Sequence, residues 1–195
     1  MLPSNRNGRC GSWLNYCRPK QLRVLVTGAA GFIGTAVTRE ARARGYEVYE
    51  LDLMGQPGAR SFRVDLRDFE ALTAVMEQVA PQAVIHLAAR TDLRGLDVAD
   101  YSSNTVGTLN LLRALSAKVE RFVFTSSQLV HATLGETPSV GSCQPDGPYG
   151  TSKLIGEFMV RASDPARGRW TIVRPTSVLG AGDDQLPRLL QSHRA

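Results

Sequence analysis

The sequence predicts an α/β protein built on a doubly wound parallel sheet with helices on both faces. Two observations predict this fold. Apolar runs of strand length alternate six times with segments of helical periodicity, which is the order expected of parallel strands joined by crossover helices. The first run, residues 22–27, is apolar at nearly every position, as a strand covered on both faces requires.

The composition is that of a globular protein. The chain has 195 residues, enough to bury a full core, and 43% of them are hydrophobic and 21% charged. No apolar run approaches the ~18 residues that span a bilayer, and the N-terminus lacks the apolar segment of a signal peptide. We therefore expect a cytoplasmic protein with no membrane contact.

The positive charge is concentrated at the N-terminus. The net charge is +5, and residues 1–20 contribute +4 of it because they hold four basic residues and no acid (Arg6, Arg9, Arg18 and Lys20). The remaining residues carry only +1, so we expect no nucleic-acid-binding face. Residues 1–20 are polar and lack periodicity, which predicts a disordered basic tail.

The cysteines do not form a pattern typical of a metal or disulfide site. Cys10, Cys17 and Cys143 match no common zinc spacing, and their odd number argues against a disulfide framework. We therefore expect free thiols and no bound metal.

The first strand leads into a helix and then a second strand. The helix is predicted to run to about Arg44 and to be closed by Gly45, and the second strand covers residues 46–51. The residues expected on the inner side of this helix are Phe32, Ile33, Ala36, Val37 and Ala41. The whole unit has the length of one βαβ crossover.

Three glycines lie between the first strand and its helix, in a segment, residues 27–34, that we call the glycine turn. Gly28 permits a tight turn, Gly31 lets the backbone approach a pyrophosphate, and Gly34 lets the helix pack closely on the strand. The free N–H groups and the positive end of the helix dipole would then face the bound anion. The segment therefore predicts a dinucleotide-binding turn.

The second strand ends at Asp52, 18 residues after Gly34. An acid at about this distance accepts hydrogen bonds from a ribose in dinucleotide-binding folds, although an Asp after a strand is also common in an ordinary loop. The spacing and the position at the strand end favour the binding role. Because a carboxylate here would repel a 2′-phosphate, the predicted cofactor is NAD rather than NADP.

A third strand, residues 61–64, follows a loop rich in glycine and proline and is followed by Asp65-Leu66. Asp68 is then predicted to cap a helix that ends at Val79. The residues expected on the buried face of this helix are Leu72, Val75, Met76 and Val79.

The second half of the chain repeats the alternation. The strands predicted there cover residues 83–89, 122–125 and 170–174, and the helices cover residues 98–118, 149–162 and 186–193. His86 lies within the first of these strands. We interpret it as a packed core histidine, because no metal partner is spaced for it.

Polar residues stand where such a sheet binds its ligands, at the C-terminal ends of the strands. Ser126 and Ser127 follow the fifth strand, while Tyr149 and Lys153 are four residues apart and so share one face of a helix. A nearby ammonium lowers the pKa of a tyrosine, which would make Tyr149 a general acid/base. The pattern Tyr-x-x-x-Lys also occurs by chance in many helices.

Together and in this order, the motifs resemble the extended short-chain dehydrogenase/reductase family, in particular its NAD-dependent epimerase/dehydratase members. The resemblance runs from about residue 22 to residue 182, and the spacing of the three glycines fits this family better than the medium-chain dehydrogenases. The segments that carry it are the glycine turn, Asp65-Leu66, His86-Leu87-Ala88-Ala89, residues 104–112, Ser126-Ser127, Tyr149 with Lys153, Arg174-Pro175 and residues 180–183.

The resemblance implies a Rossmann-type NAD-binding domain over residues 21–175 and the start of an incomplete substrate-binding lobe over residues 176–195. It implies that Tyr149 is the general acid/base and that Lys153 binds the nicotinamide ribose and lowers the pKa of Tyr149. Ser127, rather than Ser126, would hydrogen-bond the reacting oxygen. The cofactor-binding residues that it implies are Gly28, Gly31, Phe32, Ile33, Gly34, Asp52, Asp65, Leu66, Leu87, Ala88, Ala89, Asn104, Thr125, Tyr149, Lys153 and Pro175.

The activity implied by the resemblance is that of an NAD-dependent epimerase acting on a nucleotide sugar by transient hydride transfer. The alternatives are an NAD-dependent sugar reductase or dehydrogenase of the same family, and a truncated, non-catalytic dinucleotide-binding module. Gln128-Leu129 stands where dehydratases of the family tend to have Asp-Glu, which disfavours a 4,6-dehydratase.

Two further expectations follow from the resemblance. The chain ends at Ala195, earlier than members of the family do, so we expect most of the substrate-binding lobe to be missing. Members of the family commonly dimerise through two helices that correspond here to residues 98–118 and 149–162, which implies a homodimer.

Overall fold

The computed structural model of the protein describes residues 21–131, 143–163 and 170–180. The elements in these ranges are β1 (Arg23–Thr27), α1 (Phe32–Ala43), β2 (Glu47–Asp52), β3 (Ser61–Arg63), α2 (Phe69–Val79), β4 (Ala83–His86), a 3₁₀ helix (Val98–Tyr101), α3 (Ser102–Ala114), β5 (Arg121–Thr125), a second 3₁₀ helix (Gln128–Val130), α4 (Pro148–Ser163) and β6 (Trp170–Val173). None of the described helices is long and apolar enough to cross a bilayer.

The strands form one parallel sheet in the order β3-β2-β1-β4-β5-β6. β1 lies at the centre and pairs with β2 on one side and β4 on the other, so that Val24 faces Val48 and Ala83 in the ladder. The chain therefore leaves β1 in one direction along the sheet and returns to continue in the other. This reversal opens a crevice between the carboxyl ends of β1 and β4, which is where open α/β sheets bind ligands.

Apolar side chains cover both faces of the sheet. Alternate residues of β1 point to opposite sides, so Leu25 belongs to one core cluster and Val26 to the other. The larger cluster packs beneath α2, α3 and α4, and the smaller one contains Ala41 of α1. Helices thus lie on both faces of a parallel sheet, which confirms the predicted fold class.

The helix α2 forms as the sequence predicts. The Oδ1 atom of its N-cap residue Asp68 accepts a hydrogen bond from the backbone N–H of Ala71 at 3.0 Å. The four residues expected on its inner face are all buried (Leu72, Val75, Met76 and Val79). A local cap and a periodic apolar face are sufficient here because they agree with each other.

The predicted inner face of α1 is wrong in part. Phe32 and Ala36 are exposed, whereas Gly34, Thr38 and Ala41 are the buried residues of this helix. These three positions are spaced by four and three residues, so they form one stripe along the helix. The stripe begins at a glycine because α1 approaches the glycine turn too closely for a larger residue.

Two predicted elements exceed the observed ones by three residues or more. β4 ends at His86 instead of residue 89, and the helix expected at 98–118 divides into the 3₁₀ helix Val98–Tyr101 and α3, which ends at Ala114. The predicted tail 1–20, with Cys10 and Cys17, and the predicted helix 186–193 lie outside the described residues.

Candidate functional site

The glycine turn joins β1 to α1 at the crevice. Gly28 has a φ of +72°, and its N–H donates to the carbonyl of Leu51 at 2.8 Å. A Cβ at this position would lie 2.6 Å from the amide nitrogen of Ala88, the second residue after β4. Only glycine satisfies both the left-handed backbone and this close approach. The predicted role of Gly28 in a tight turn agrees with this geometry.

Gly34 and Gly31 shape the start of α1. A Cβ at Gly34 would be 2.7 Å from the Cα of Ala29 and would also overlap the carbonyl oxygen of Gly28, so the close packing is against the turn rather than against the strand. Gly31 is the N-cap of α1 and offers no side-chain cap, and the first turn of the helix has no acidic residue. Its backbone N–H groups and dipole are therefore suited to a phosphate.

Asp52 lies at the carboxyl end of β2 and is bonded to the glycine turn. Its Oδ2 accepts a hydrogen bond from the N–H of Ala30 at 2.9 Å, and its Oδ1 accepts one from the N–H of Met54 at 2.9 Å. The carboxylate is therefore oriented by the backbone on both sides. The sequence placed Asp52 at the strand end correctly but did not indicate that it also holds the turn.

Asp65 and Leu66 follow β3 and differ in their surroundings. Asp65 forms an ion pair with Arg67, and this hydrogen-bonded partner lowers the pKa of the Asp65 carboxyl. Leu66 is buried beside Gly107, and its carbonyl accepts a hydrogen bond from Nδ2 of Asn110 at 3.1 Å. The side chain of Leu66 is thus part of the core.

His86 connects β1 to α3 beneath the crevice. Its Nδ1 is 2.7 Å from Oγ1 of Thr27, its Nε2 is 2.9 Å from Oγ1 of Thr108, and the rings of Phe122 and Phe124 lie nearby. Burial lowers the pKa of this histidine to about 3. The ring is therefore neutral and fully hydrogen-bonded, which supports its interpretation as a core histidine.

Asn104 holds the segment after β4 against α4. Its Oδ1 accepts the N–H of Arg90 at 2.8 Å, and its Nδ2 donates to the carbonyl of Arg90 and to Oγ of Ser152, both at 3.0 Å. These bonds use the oxygen and both amide hydrogens. In this structure Asn104 therefore positions the segment after β4, and its contact with a cofactor stays a prediction.

The other predicted cofactor-binding residues lie along the same edge of the sheet. Leu87, Ala88 and Ala89 follow β4, Thr125 ends β5, and Pro175 follows β6. All five are partly exposed, as are Ile33 and, more fully, Phe32 at the start of α1. Their positions are compatible with a dinucleotide across the crevice, but their contacts with it stay predictions.

The hydroxyl group of Ser127 interacts with that of Tyr149 and partly opposes the rise that burial causes in the pKa of Tyr149. Ser127 is the N-cap of the second 3₁₀ helix, where its Oγ accepts the N–H of Leu129 at 3.1 Å. Tyr149 lies in the first turn of α4, and its ring meets the edge of Tyr101 at a centroid distance of 5.8 Å. The pair therefore joins the ends of two elements that are far apart in the sequence.

The pKa of Tyr149 differs from the sequence expectation. Burial raises it above the ordinary value of a tyrosine, and the hydrogen bond with Ser127 only partly opposes this. Lys153, which was expected to lower the pKa of Tyr149, is itself buried with its Nζ 5.0 Å from the ring centroid of Phe124. Burial lowers the pKa of Lys153 to about 8, so the group is mostly protonated at pH 7 and loses its charge just above that pH.

A cavity of about 160 Å³ opens beside Tyr149. Its lining includes the apolar side chains of Leu93, Leu129 and Pro148. Leu129 occupies the position at which the sequence lacks the acidic residue of a dehydratase. The structure therefore places this departure next to the predicted general acid/base.

Glu157 is a buried charged residue that the sequence reasoning missed. It lies one turn beyond Lys153 on α4, is fully buried and accepts a hydrogen bond from Oγ of Ser126 at 2.6 Å. The spacing Tyr149, Lys153, Glu157 places all three on one helix face and was the available signal. Ser126 is thereby engaged, which agrees with the choice of Ser127 as the residue that faces the reaction.

Comparison with known proteins identifies the family. The model of the NAD dependent epimerase/dehydratase family matches residues 24–193. The chain belongs to this family. The match confirms the predicted family, and the NAD dependence of the family confirms the predicted cofactor.

Individual relatives span both reductases and epimerases. The chain is 32% identical over 187 residues to a 2-alkyl-3-oxoalkanoate reductase of Stenotrophomonas maltophilia, covering 89% of this chain and 56% of the relative. It is 32% identical over 173 residues to a UDP-glucose 4-epimerase of Rhizobium meliloti, covering 81% of this chain and 52% of the relative. The chain thus spans about half the length of these curated relatives.

A solved structure supports the same assignment. The crystal structure of UDP-glucose 4-epimerase from Thermus thermophilus in complex with NAD superposes with a TM-score of 0.72 at 33% identity. The match covers 84% of this chain and 58% of the other. The fold of this epimerase/dehydratase family member is therefore that of a known NAD-binding relative.

We expect His86 to remain neutral from about pH 8 to about pH 5. Its folded pKa of about 3 lies below the ~6.5 of an unfolded histidine, so the unfolded chain binds the additional proton first. Folding stability then falls as the pH drops below ~6.5, by up to about 1.4 kcal/mol per pH unit for this one group. Ring-nitrogen NMR of the histidines, with His86→Gln to assign the signal, checks the prediction. A His86 ring that protonates above pH 5 would contradict it.

Proposed function

We propose that the protein to which this chain belongs is an NAD-dependent epimerase acting on a nucleotide sugar, with Tyr149 as the general acid/base. The observation that carries the proposal is the meeting of Ser127, just beyond the end of β5, with Tyr149, in the first turn of α4, with Lys153 one turn further along that helix. This group lies at the same edge of the sheet as the glycine turn. A hydroxyl-bearing substrate placed between them would meet a proton acceptor and a bound dinucleotide together.

The residues at the crevice fit NAD. Gly31 has no side chain that would hinder the approach of a pyrophosphate, and the uncapped start of α1 supplies N–H donors. Asp52 would accept hydrogen bonds from the adenosine ribose, because its carboxylate is already oriented by Ala30 and Met54. When bound, NAD would supply a hydride acceptor that is in its oxidised form again at the end of each epimerisation cycle.

Ser127 and Tyr149 would share the reacting oxygen of the substrate. Ser127 orients that oxygen by a hydrogen bond. Tyr149 accepts the proton of the oxygen as a hydride leaves the carbon that carries it. In an epimerase, the transient ketone is reduced from its other face and Tyr149 returns the proton. Tyr149 can accept a proton only as a phenolate, and burial raises its pKa, so the protonated Lys153 is needed to stabilise the phenolate before the proton is transferred.

Two features bear on the choice of reaction. The UDP-glucose 4-epimerase relatives support a nucleotide sugar as substrate, whereas the 2-alkyl-3-oxoalkanoate reductase supports a reductase or dehydrogenase as the second candidate. Gln128 and Leu129 cannot act as the acid and base of a 4,6-dehydratase. Net formation of NADH during turnover would favour the dehydrogenase, because an epimerase returns the hydride to its substrate and releases no NADH.

The general acid/base role predicts the result of removing one hydroxyl. Tyr149→Phe should lower turnover by roughly 10²–10⁴-fold, the range of general acid/base catalysis, while NAD affinity stays close to that of the unchanged protein. Turnover of UDP-glucose and NAD binding by calorimetry measure the two effects. Tyr46→Phe, at an exposed tyrosine, is the matched control. Undiminished turnover in Tyr149→Phe would reject the role. NAD binding without turnover in the unchanged chain would favour a non-catalytic module.

The proposed role of Asp52 predicts a change in cofactor preference. Asp52→Ala should narrow the preference for NAD over NADP by roughly tenfold, equivalent to about 1.4 kcal/mol, because the repulsion of the 2′-phosphate is lost. Asp52→Asn removes the charge but keeps an acceptor oxygen for Ala30 or Met54, so it separates charge from turn geometry. Titration with both dinucleotides measures the ratio. A ratio that is unchanged in both variants would exclude Asp52 as the selecting residue.

We also propose that the protein forms a homodimer through α3 and α4. Val106 and Leu109 of α3 and Phe158 of α4 are 46%, 41% and 60% exposed, although all three are apolar. Exposed apolar side chains on two adjacent helices are typical of a covered surface.

Dimerisation can be tested by charged substitutions. Val106→Glu combined with Leu109→Glu should convert a dimer into a monomer in sedimentation experiments, since two carboxylates would be desolvated in each copy of the interface. Leu96→Glu, at a residue that is 94% exposed outside these helices, should leave the dimer intact. The proposal would be refuted if the protein without substitutions is a monomer. It would also be refuted if Leu96→Glu dissociates the dimer as much as the double variant does.

A further inference from the structure

Glu157 has every acceptor position of its carboxylate filled by a protein donor. Oε1 accepts from Oγ of Ser126 at 2.6 Å and from Nε of Arg174 at 2.7 Å. Oε2 accepts from Nη2 of Arg174 at 2.7 Å and from Nη2 of Arg161 at 2.8 Å. We call these four residues the Glu157 network. Burial alone would raise the pKa of Glu157, but these bonds bring it down to about 2, so the group is ionised.

A buried ion of this kind requires an explanation beyond packing. Removing a carboxylate from water is costly, and an apolar residue of similar size often serves stability equally well. Glu157 nevertheless has no exposed surface, and Arg174 donates to it through two nitrogens in the geometry of a bidentate pair. The directional bonds therefore indicate that the position of the Glu157 carboxylate, or its negative charge, is needed here.

The backbone on both sides of Ser127 is hydrogen-bonded to the segment that contains Arg174. On one side, the N–H of Ser126 donates to the carbonyl of Val173 at 2.8 Å, and on the other the N–H of Gln128 donates to the carbonyl of Pro175 at 3.0 Å. Arg174 lies between these two acceptors, and its side chain bonds to Glu157 on α4. Ser127 is thus held from the β6 side by its neighbours and from the α4 side through Ser126.

The same carboxylate lies on the helix face of Tyr149 and Lys153. Tyr149, Lys153 and Glu157 are spaced by four residues each, so they follow one another along α4. Burial lowers the pKa of Lys153, and the negative charge of Glu157 opposes that shift, leaving a value of about 8. Titratable or charged groups around this region include His86, Tyr101, His131, Cys143, Asp146, Arg161 and Arg174.

Glu157 supplies the negative charge that acts on Lys153. His86 is neutral because its pKa is lowered to about 3, and Tyr101 lies fully buried against the ring of Tyr149. Arg174 carries a positive charge and donates to Nε2 of His131 at 3.0 Å and to Sγ of Cys143 at 3.2 Å. Glu157 therefore favours the protonated state of Lys153.

We propose that Glu157 is a positioning residue that fixes Ser127 against Tyr149 through Ser126 and keeps Lys153 protonated at working pH. The importance of this role for turnover rests on the function proposed above, whereas the charge of Lys153 is a property of the chain itself. The two parts can therefore be tested separately.

The chain is suited to a direct titration of Lys153. It contains three lysines, at positions 20, 118 and 153, so the side-chain resonances of ¹⁵N,¹³C-labelled lysine are few and Lys153→Met assigns the relevant one. In Glu157→Gln the pKa of Lys153 should fall by about one unit below that of the unchanged chain, because the opposing charge is gone. Glu120→Gln removes an equal charge from an exposed site beside Lys118 and should leave Lys153 unchanged.

Further variants test whether the network positions Ser127, and they keep the proposal testable if Glu157→Gln does not fold. Ser126→Ala keeps the ion pairs but removes the bond between Ser126 and Glu157, so Ser127 should hold Tyr149 less well and the pKa of Tyr149 should rise in a ¹³C-tyrosine titration. Ser163→Ala, at a hydroxyl that bonds only the carbonyl of Val160 among its described contacts, is the control. Glu157→Asp retains the charge and should keep the pKa of Lys153 above that of Glu157→Gln.

The outcomes separate this proposal from the proposed function. An unchanged pKa of Lys153 in Glu157→Gln, or a fall of the same size in Glu120→Gln, overturns the charge role whether or not the chain is active. An unchanged pKa of Tyr149 in Ser126→Ala overturns the positioning role. Shifted pKa values in a chain that turns over no substrate uphold the network while contradicting the epimerase assignment.

Discussion

The contact between the glycine turn and the end of β4 determines the arrangement of the whole site. Gly28 must adopt a positive φ and must also lie against the backbone of Ala88, and a side chain would prevent both. Because β1 pairs with β2 and β4, this one contact fixes the start of α1 relative to both neighbours. The bond between Asp52 and Ala30 then links β2 to the same turn. The crevice is therefore built by backbone proximity before any side chain contributes to binding.

Buried polar side chains, rather than apolar ones, set the distances at this edge of the sheet. His86 joins β1 to α3, Asn104 joins the segment after β4 to α4, and Glu157 joins the end of β5 to α4 and to Arg174. Each bond is directional, so a satisfied network holds one geometry, whereas apolar packing tolerates small shifts. The apolar clusters thus explain the sheet and its helices, and the three polar links explain the position of Ser127, Tyr149 and Lys153.

Local signals in the sequence predicted most of the fold. The predictions were wrong where contacts between distant segments determine which residues are buried. The cap at Asp68 and the periodic face of α2 lie within one element, so they were readable. The inner face of α1 was misjudged because its contact with the glycine turn makes Gly34, rather than Phe32, the buried residue. In the site, motif order located Ser127, Tyr149 and Lys153, but Glu157 was missed because its partners, Ser126 and Arg174, meet it only in three dimensions.

The ionisation of the site also depends on this tertiary arrangement. Burial raises the pKa of Tyr149 and lowers that of Lys153. Both shifts favour the neutral form of the group. Sequence spacing alone suggested that Lys153 would lower the pKa of Tyr149, yet burial raises it. Each group has one partner that opposes burial, Ser127 for Tyr149 and Glu157 for Lys153. Those partners are joined through Ser126, which is next to Ser127 and bonded to Glu157. A single chain of contacts thus connects the partners of Tyr149 and Lys153.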